Sequence, residues 1–222
     1  MIGIHDCPGS FSDRWMVYCE ERGIPFRRVD CLATDIVRQC EGLAALLWHW
    51  SYDNPGHVLV ARQIINALEL KGLVVFPNAR TCWHYDDKVA QKYLLEAIDA
   101  PLIPTWVFTD KVAATRWIAE TVWPKVFKLR CGAGSTNVRL VRSREEAAEL
   151  CRQAFGEGLV AVPGYTTDIR TRVRATHDAR EFRKKLARAP RLLLQLYAEQ
   201  RQSSRERGYV YFQEFLDGNA HD

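Results

Sequence analysis

The groups in this 222-residue sequence best suited to chemistry are two lysines and a run of small residues. Lys88 opens a helical pattern, and forty residues later Lys128 ends a short strand-like run, Val126-Phe127-Lys128. There follow Cys131-Gly132-Ala133-Gly134-Ser135-Thr136 and a second strand-like run over 137–143. Glycines let a backbone approach a ligand closely, and consecutive loop N–H groups can cradle a phosphate. Two ammonium groups beside such a loop would supply the fixed positive charge that a polyphosphate demands. A tight hairpin needing positive φ accounts for the glycines equally well.

Three familiar phosphate loops are excluded. No G-x-x-x-x-G-K-[ST] run occurs, so there is no Walker loop. A dinucleotide fingerprint fails because Asn137 stands where its third glycine belongs, and a strand follows where a helix N-terminus should hold the pyrophosphate. A kinase-type loop fails for want of a V-A-I-K lysine, H-R-D or D-F-G.

A second set of candidates lies near the start. His5 and Asp6, with Ser10, follow the first strand pattern, and Trp48-His49-Trp50 through Asp53 follow the third. His5 is a candidate base or hydrogen-bond donor with Asp6 as its orienter. Turn and cap duties for Asp6 and Ser10, and a packed, satisfied His49, are equally good readings. Asn78 and Thr81 are candidate linker contacts, while Cys7 and Cys131, beside glycines, read as small filler rather than nucleophiles. The seven cysteines are odd in number, scattered and without C-x-x-C, which predicts reduced thiols in a cytoplasm and no zinc site.

The elements that must position these groups fall into two patterns. Strands over 1–4, 24–30, 43–50 and 73–76 alternate with helices over 11–23, 34–42 and 57–72. Alternation of this kind predicts a small doubly wound α/β domain with a parallel sheet, over 1–80. The first helix places Trp15, Val17, Tyr18 and Cys19 near one side. Beyond it the order is helix, strand, helix, two strands around the glycine loop, helix, a basic stretch and a last strand, GYVYFQEFL. The helix after Asp87 carries Val89, Tyr93, Leu94 and Ile98 as its apolar stripe, and Ser143 with Glu146 forms a capping box.

The order Asp87-Lys88, then Lys128 with its glycine loop, then Gln213-Glu214-Phe215-Leu216 resembles the ATP-grasp superfamily over essentially the whole chain. The resemblance implies an N-terminal α/β (pre-ATP-grasp) domain followed by an α+β lobe over 81–216, with a four-stranded antiparallel sheet and a basic helical insertion at about 155–207. It implies ATP held by Lys88 and Lys128, with Gly132, Ala133, Gly134 and Ser135 as a flap over the phosphates. Gln213, Glu214, Phe215 and Leu216 would supply adenine contacts through backbone and one side-chain carbonyl, with Val126 and Phe215 as apolar walls. Mg²⁺ ligands are expected beyond this chain, which stops at Asp222 where a second lobe would begin over 217–222. That ending implies a fragment of a longer enzyme.

The implied reaction is ATP-dependent joining of a carboxylate to an amine through an acyl phosphate, with the lysines as charge stabilisers rather than bases. His5, Asp6, Ser10, His49 and Asp53 are then substrate candidates at the strand ends of the first domain. The pattern also resembles members associated with bacterial cell-surface polysaccharide synthesis. Between residues 165 and 207 there are twelve Lys or Arg against five Asp or Glu, including Arg170, Arg172 and Arg174 in alternation. Such a stretch would suit an acidic sugar, or simply form a solvated surface. The alternative reading is a non-catalytic remnant that binds a nucleotide or an acidic partner. Nucleic acid is disfavoured, since the stretch has few aromatics and no RNA-binding signature. With 47% hydrophobic and 26% charged residues, no apolar run long enough for a membrane span and no secretory start, the sequence predicts a soluble cytoplasmic protein.

Overall fold

The computed structural model describes residues 1–8, 10–50, 55–131, 137–161 and 205–218. The chain divides into two units, Met1–Tyr85 and Asp86–Asp222. Asp53, the loop residues Gly132, Ala133, Gly134 and Ser135, and Arg170, Arg172 and Arg174 lie outside the described residues.

The first unit is a parallel sheet of β1 (Ile2–His5), β2 (Phe26–Val29), β3 (Ala45–Leu47) and β4 (Val74–Phe76), in the order β2-β1-β3-β4. Helices α1 (Phe11–Glu21), α2 (Ile36–Gln39) and α3 (Pro55–Leu70) make the crossovers, and α4 (Ala79–Cys82) follows β4. The apolar run over 43–50 becomes an inner strand whose Leu46, with the following Trp48, is fully buried beside Ile4 and Ile65. The chain moves from β1 to β2 on one side and then to β3 on the other, so the carboxyl ends of β1 and β3 flank a topological switch point. In α1 the buried stripe is Ser12, Met16 and Cys19, while Val17 and Tyr18 are exposed. The expected stripe is thus corrected: positions 12, 16 and 19 recur at helical spacing, and 17 and 18 rotate away from them.

The second unit is an antiparallel sheet of β5 (Thr105–Phe108), β6 (Lys125–Lys128), β7 (Val138–Val141) and β10 (Val210–Glu214), in the order β5-β10-β6-β7. β8 (Leu159–Val160) and β9 (Arg205–Glu206) pair as a separate antiparallel ribbon, so the two flanks of residues 162–204 meet. The last strand enters the middle of the sheet, setting Gln213 opposite both Thr105 and Val126. One face carries Trp106, Phe127 and Phe212, whose rings gather around Trp117 of α6 (Lys111–Glu120) and one another at centroid distances of 5.0 to 5.4 Å. This aromatic cluster is the unit's core. The opposite face carries Thr105, Val126, Lys128 and Gln213.

Two helix expectations are revised here. In α5 (Lys88–Ala97) Tyr93 and Ile98 are 52% and 61% exposed, and the buried residue is Lys92. Its stem packs inward while its ammonium reaches Glu96 at 2.6 Å, one turn on. In α7 (Arg144–Phe155) Ser143 caps as expected, accepting the Glu146 N–H at 3.3 Å. The Glu146 carboxylate, however, accepts from Arg142 N–H at 2.9 Å rather than from the cap residue's own amide.

Candidate functional site

Strand alternation decides which groups can act together on the second unit's sheet. In β6, Lys125 and Phe127 face the aromatic core and Val126 and Lys128 face the other way. Lys128 Nζ donates to Gln213 Oε1 at 2.6 Å. Gln213 Nε2 donates to Thr105 Oγ1 at 3.1 Å, and Thr105 Oγ1 donates to the Ile103 carbonyl at 2.7 Å. Three strands that meet only in the folded sheet therefore build one polar line ending at the Lys128 ammonium.

Lys88 is delivered to the same end of β6. Asp87 caps α5, its Oδ1 accepting the Ala90 N–H at 3.0 Å, which places Lys88 at the first helical position. The Lys88 N–H itself donates to the Arg130 carbonyl at 2.9 Å, two residues beyond Lys128. Burial holds the Lys88 ammonium below its ordinary pKa, against the raising influence of Asp86, Cys131 and Asp87. A cation in the first turn also opposes the helix dipole. Burial pushes the nearby Asp86 carboxyl up, with Lys88 opposing.

Arg130 was not singled out in the sequence, and it fastens this corner. Its guanidinium lies 3.3 Å from Glu206 and 3.8 Å from the Asp87 carboxylate, and its N–H donates to Tyr209 Oη at 2.7 Å. The only sequence signal is its position two residues after Lys128, where alternation continues the same face.

The stretch Gln213-Glu214-Phe215-Leu216 does not act as one surface. Only the Gln213 side chain shares the face of Lys128. The Glu214 carboxylate turns to the other side and accepts from Lys125 Nζ at 2.9 Å, with that ammonium 5.6 Å from the Trp106 ring centroid. Phe215 borders a hollow with Trp106, Trp123 and Lys125, and Leu216 is exposed. In that hollow Lys125 and Glu214 neutralise each other and Asp217 adds a negative charge, so it offers a polyanion less than the Lys128 face does.

In the first unit, His5 ends β1 and is buried, its Nδ1 accepting the Cys31 N–H at 3.1 Å. Burial lowers its pKa, opposed chiefly by Asp30 at 4.0 Å. Asp6 pairs instead with Arg28 at 2.8 Å, and Ser10 caps α1 by accepting the Ser12 N–H at 3.2 Å. His49 Nε2 lies 2.8 Å from Tyr85 Oη, and burial lowers its pKa. Asn78 Oδ1 accepts the Thr81 N–H at 3.0 Å, so these two residues cap α4. A histidine that the sequence reading passed over, His57 in the first turn of α3, stands with its ring 5.7 Å from His5 and 5.8 Å from Trp48. Burial takes its pKa down to about 4. Its place just after β3, at the switch point, is the signal that would have found it.

Lys88, at the start of α5, and Lys128 and Gln213, on the sheet face, set two ammonium groups and an oriented amide near one end of β6, a donor set suited to an anion. No group of three or more His, Cys, Asp or Glu suited to a metal occurs among the described residues. Among those residues no helix is long and apolar enough to cross a membrane.

No protein-family model matches the sequence, and no curated protein is significantly similar to it. Solved structures are similar. A RimK domain ATP-grasp protein from Sphaerobacter thermophilus is 18% identical, with a TM-score of 0.54 over 99% of this chain and 65% of its own. The biotin carboxylase domain of Hydrogenobacter thermophilus 2-oxoglutarate carboxylase, solved with MgADP and bicarbonate, is 16% identical, with a TM-score of 0.55 over 97% of this chain and 44% of its own. The ATP-grasp ligase PsnB, solved with a minimal precursor, is 15% identical, with a TM-score of 0.50 over 98% and 64%. This chain thus spans less than two thirds of the length of each. What they share with it is the fold, a mixed α/β architecture whose second unit carries a four-stranded antiparallel sheet, and two of the three are named as ATP-grasp proteins.

Proposed function

We propose that this protein binds ATP on the Lys128 face of the second unit's sheet and forms the nucleotide side of an ATP-dependent carboxylate–amine ligase. The observation that carries the reading is the Lys128–Gln213 bond at 2.6 Å, with the Lys88 segment tied by its backbone to Arg130. An anion brought to Lys88 relieves both the burial and the dipole that disfavour its charge. Lys88 and Lys128 would neutralise the phosphates, residues 132–135 would cover them, and the base would lie against Val126. Backbone groups of Glu214 to Leu216 would complete the base contacts.

In the proposed reaction a carboxylate oxygen attacks the γ-phosphorus, and the bond to ADP breaks. The amine then attacks the acyl carbon, phosphate leaves, and the amine sheds a proton to solvent or a nearby base. The lysines stabilise charge in the first step and exchange no proton. Mg²⁺ would neutralise further phosphate charge, held by ligands outside the described residues. His5, Asp6, Ser10 and His49, which follow or end β1 and β3, are the proposed carboxylate or amine contacts, together with Asp53 outside the described residues. The basic residues between 165 and 207 would suit an acidic substrate such as a uronic sugar, and the cytoplasm is the proposed compartment. The test is incubation with MgATP, a panel of small carboxylic acids and hydroxylamine as the amine. One acid should give ADP and a hydroxamate in equal amounts. ADP without hydroxamate contradicts the acyl phosphate, and nucleotide binding without ADP leaves a binding module.

A further inference from the structure

The hollow where β6 begins and β10 ends has a volume of about 580 Å³, within the range of sites that enclose small molecules. The side chains that line it lie away from Lys128 and Gln213 and take no part in the proposed nucleotide site. Its walls are fixed. The Trp106 ring stands 5.0 Å from Trp117, and the Trp123 ring stands 6.2 Å from Trp117 and 5.9 Å from Phe212, so both indoles are anchored in the unit's aromatic core. Phe215 supplies a third ring. A ligand meeting such walls loses little free energy to ordering them.

The charges in the hollow are not equally available. In the Lys125–Glu214 pair the lysine side chain is 6% exposed and the glutamate side chain 35%. The ammonium is withdrawn behind its partner, and the carboxylate is the member that meets solvent. One carboxylate oxygen accepts from Lys125 at 2.9 Å, and the remaining lone pairs are open to further donors. Asp217, exposed at the rim, adds a second carboxylate and leaves the lining with one net negative charge. An aromatic face attracts a cation through its quadrupole, most strongly for an indole. We propose that this hollow binds a small organic cation, its ammonium or guanidinium head at Glu214 and Asp217 and its apolar body against Trp106, Trp123 and Phe215. A neutral ring gains the walls but not the carboxylates, and an anion meets repulsion. This site does not rest on the ATP reading.

The test is calorimetric titration, at neutral pH, of benzylamine, benzyl alcohol and methylamine into the wild-type chain, with benzoate as a competitor. Wild type should bind benzylamine at one saturable site. The alcohol, which lacks the charge, and methylamine, which lacks the ring, should bind at least about tenfold more weakly. Benzoate should not compete. Asp217→Asn should weaken benzylamine about threefold, as for an exposed charge partner, and Asp217→Lys should abolish its binding. Thermal melts confirm that both variants are folded. Glu20→Gln, which removes an exposed carboxylate of the first unit, should change nothing. Equal affinities for benzyl alcohol and benzylamine, or unchanged benzylamine binding in Asp217→Lys, overturn the proposal. So does the absence of saturable benzylamine binding to the wild type. Each of these results leaves the ATP reading in place.

Discussion

Lys125 and Lys128 stand three residues apart on one strand and meet opposite surroundings. Lys125 is 5% exposed and paired with a carboxylate, whereas Lys128 is half-buried against a neutral amide. Breaking a buried pair strands a charge, while removing a ligand-binding lysine mainly removes a contact. Glu214→Gln should therefore lower the stability of the second unit by about 2 kcal/mol, the half-exposed partner moderating the full cost, with nucleotide affinity nearly unchanged. Lys128→Met should do the reverse, weakening ATP binding by roughly ten- to a hundredfold, as for a lost charged hydrogen bond, with little change in melting temperature. Urea unfolding and nucleotide titration on both variants separate the two roles. The sequence alone does not make this distinction. Both lysines read as strand residues, and which faces the core is decided by Phe127 and Phe212 meeting from segments 85 residues apart.

At the scale of elements, caps and periodicity were legible because their signals are local. Ser143 was readable as the α7 cap, and Ser143→Ala should cost about 1 kcal/mol, measured by urea unfolding. The faces of α1 and α5 were less legible, since Val17, Tyr18 and Tyr93 stay exposed while Ser12 and Lys92 are buried. The buried pair His5 and His57 belongs to this scale too, formed where β1 ends and α3 begins. The folded pKa of His57, about 4, lies below its ordinary 6.5, and the residue is only 5% exposed. As pH falls through 6.5 the unfolded chain takes up a proton that the folded chain refuses. Stability should decline between pH 6.5 and 4 and level off below, by up to about 3 kcal/mol from this group. His5, shifted in the same direction, adds to the decline. Difference curves between wild type and His57→Phe, from denaturant titrations across that range, should show the loss of this slope; parallel curves would contradict it.

For the whole molecule, the four-stranded antiparallel sheet was what the resemblance carried by Lys88, Lys128 and the QEFL stretch implied. The polar line through Thr105 was not legible, since Thr105 and Gln213 are 108 residues apart and only the central insertion of β10 sets them opposite each other. Arg130 escaped for the same reason: its partners Asp87 and Glu206 come from either side of the chain. A site built from such distant strands should be lost with the sheet. Calorimetric titration of ATP, with and without Mg²⁺, into the wild-type chain and into Lys128→Met and Lys88→Met tests the central claim most directly. Saturable binding at one site, weakened at least about tenfold by either substitution in folded protein, is the result expected. Equal affinity in all three proteins, or no binding to the wild type, would contradict an ATP site on this face.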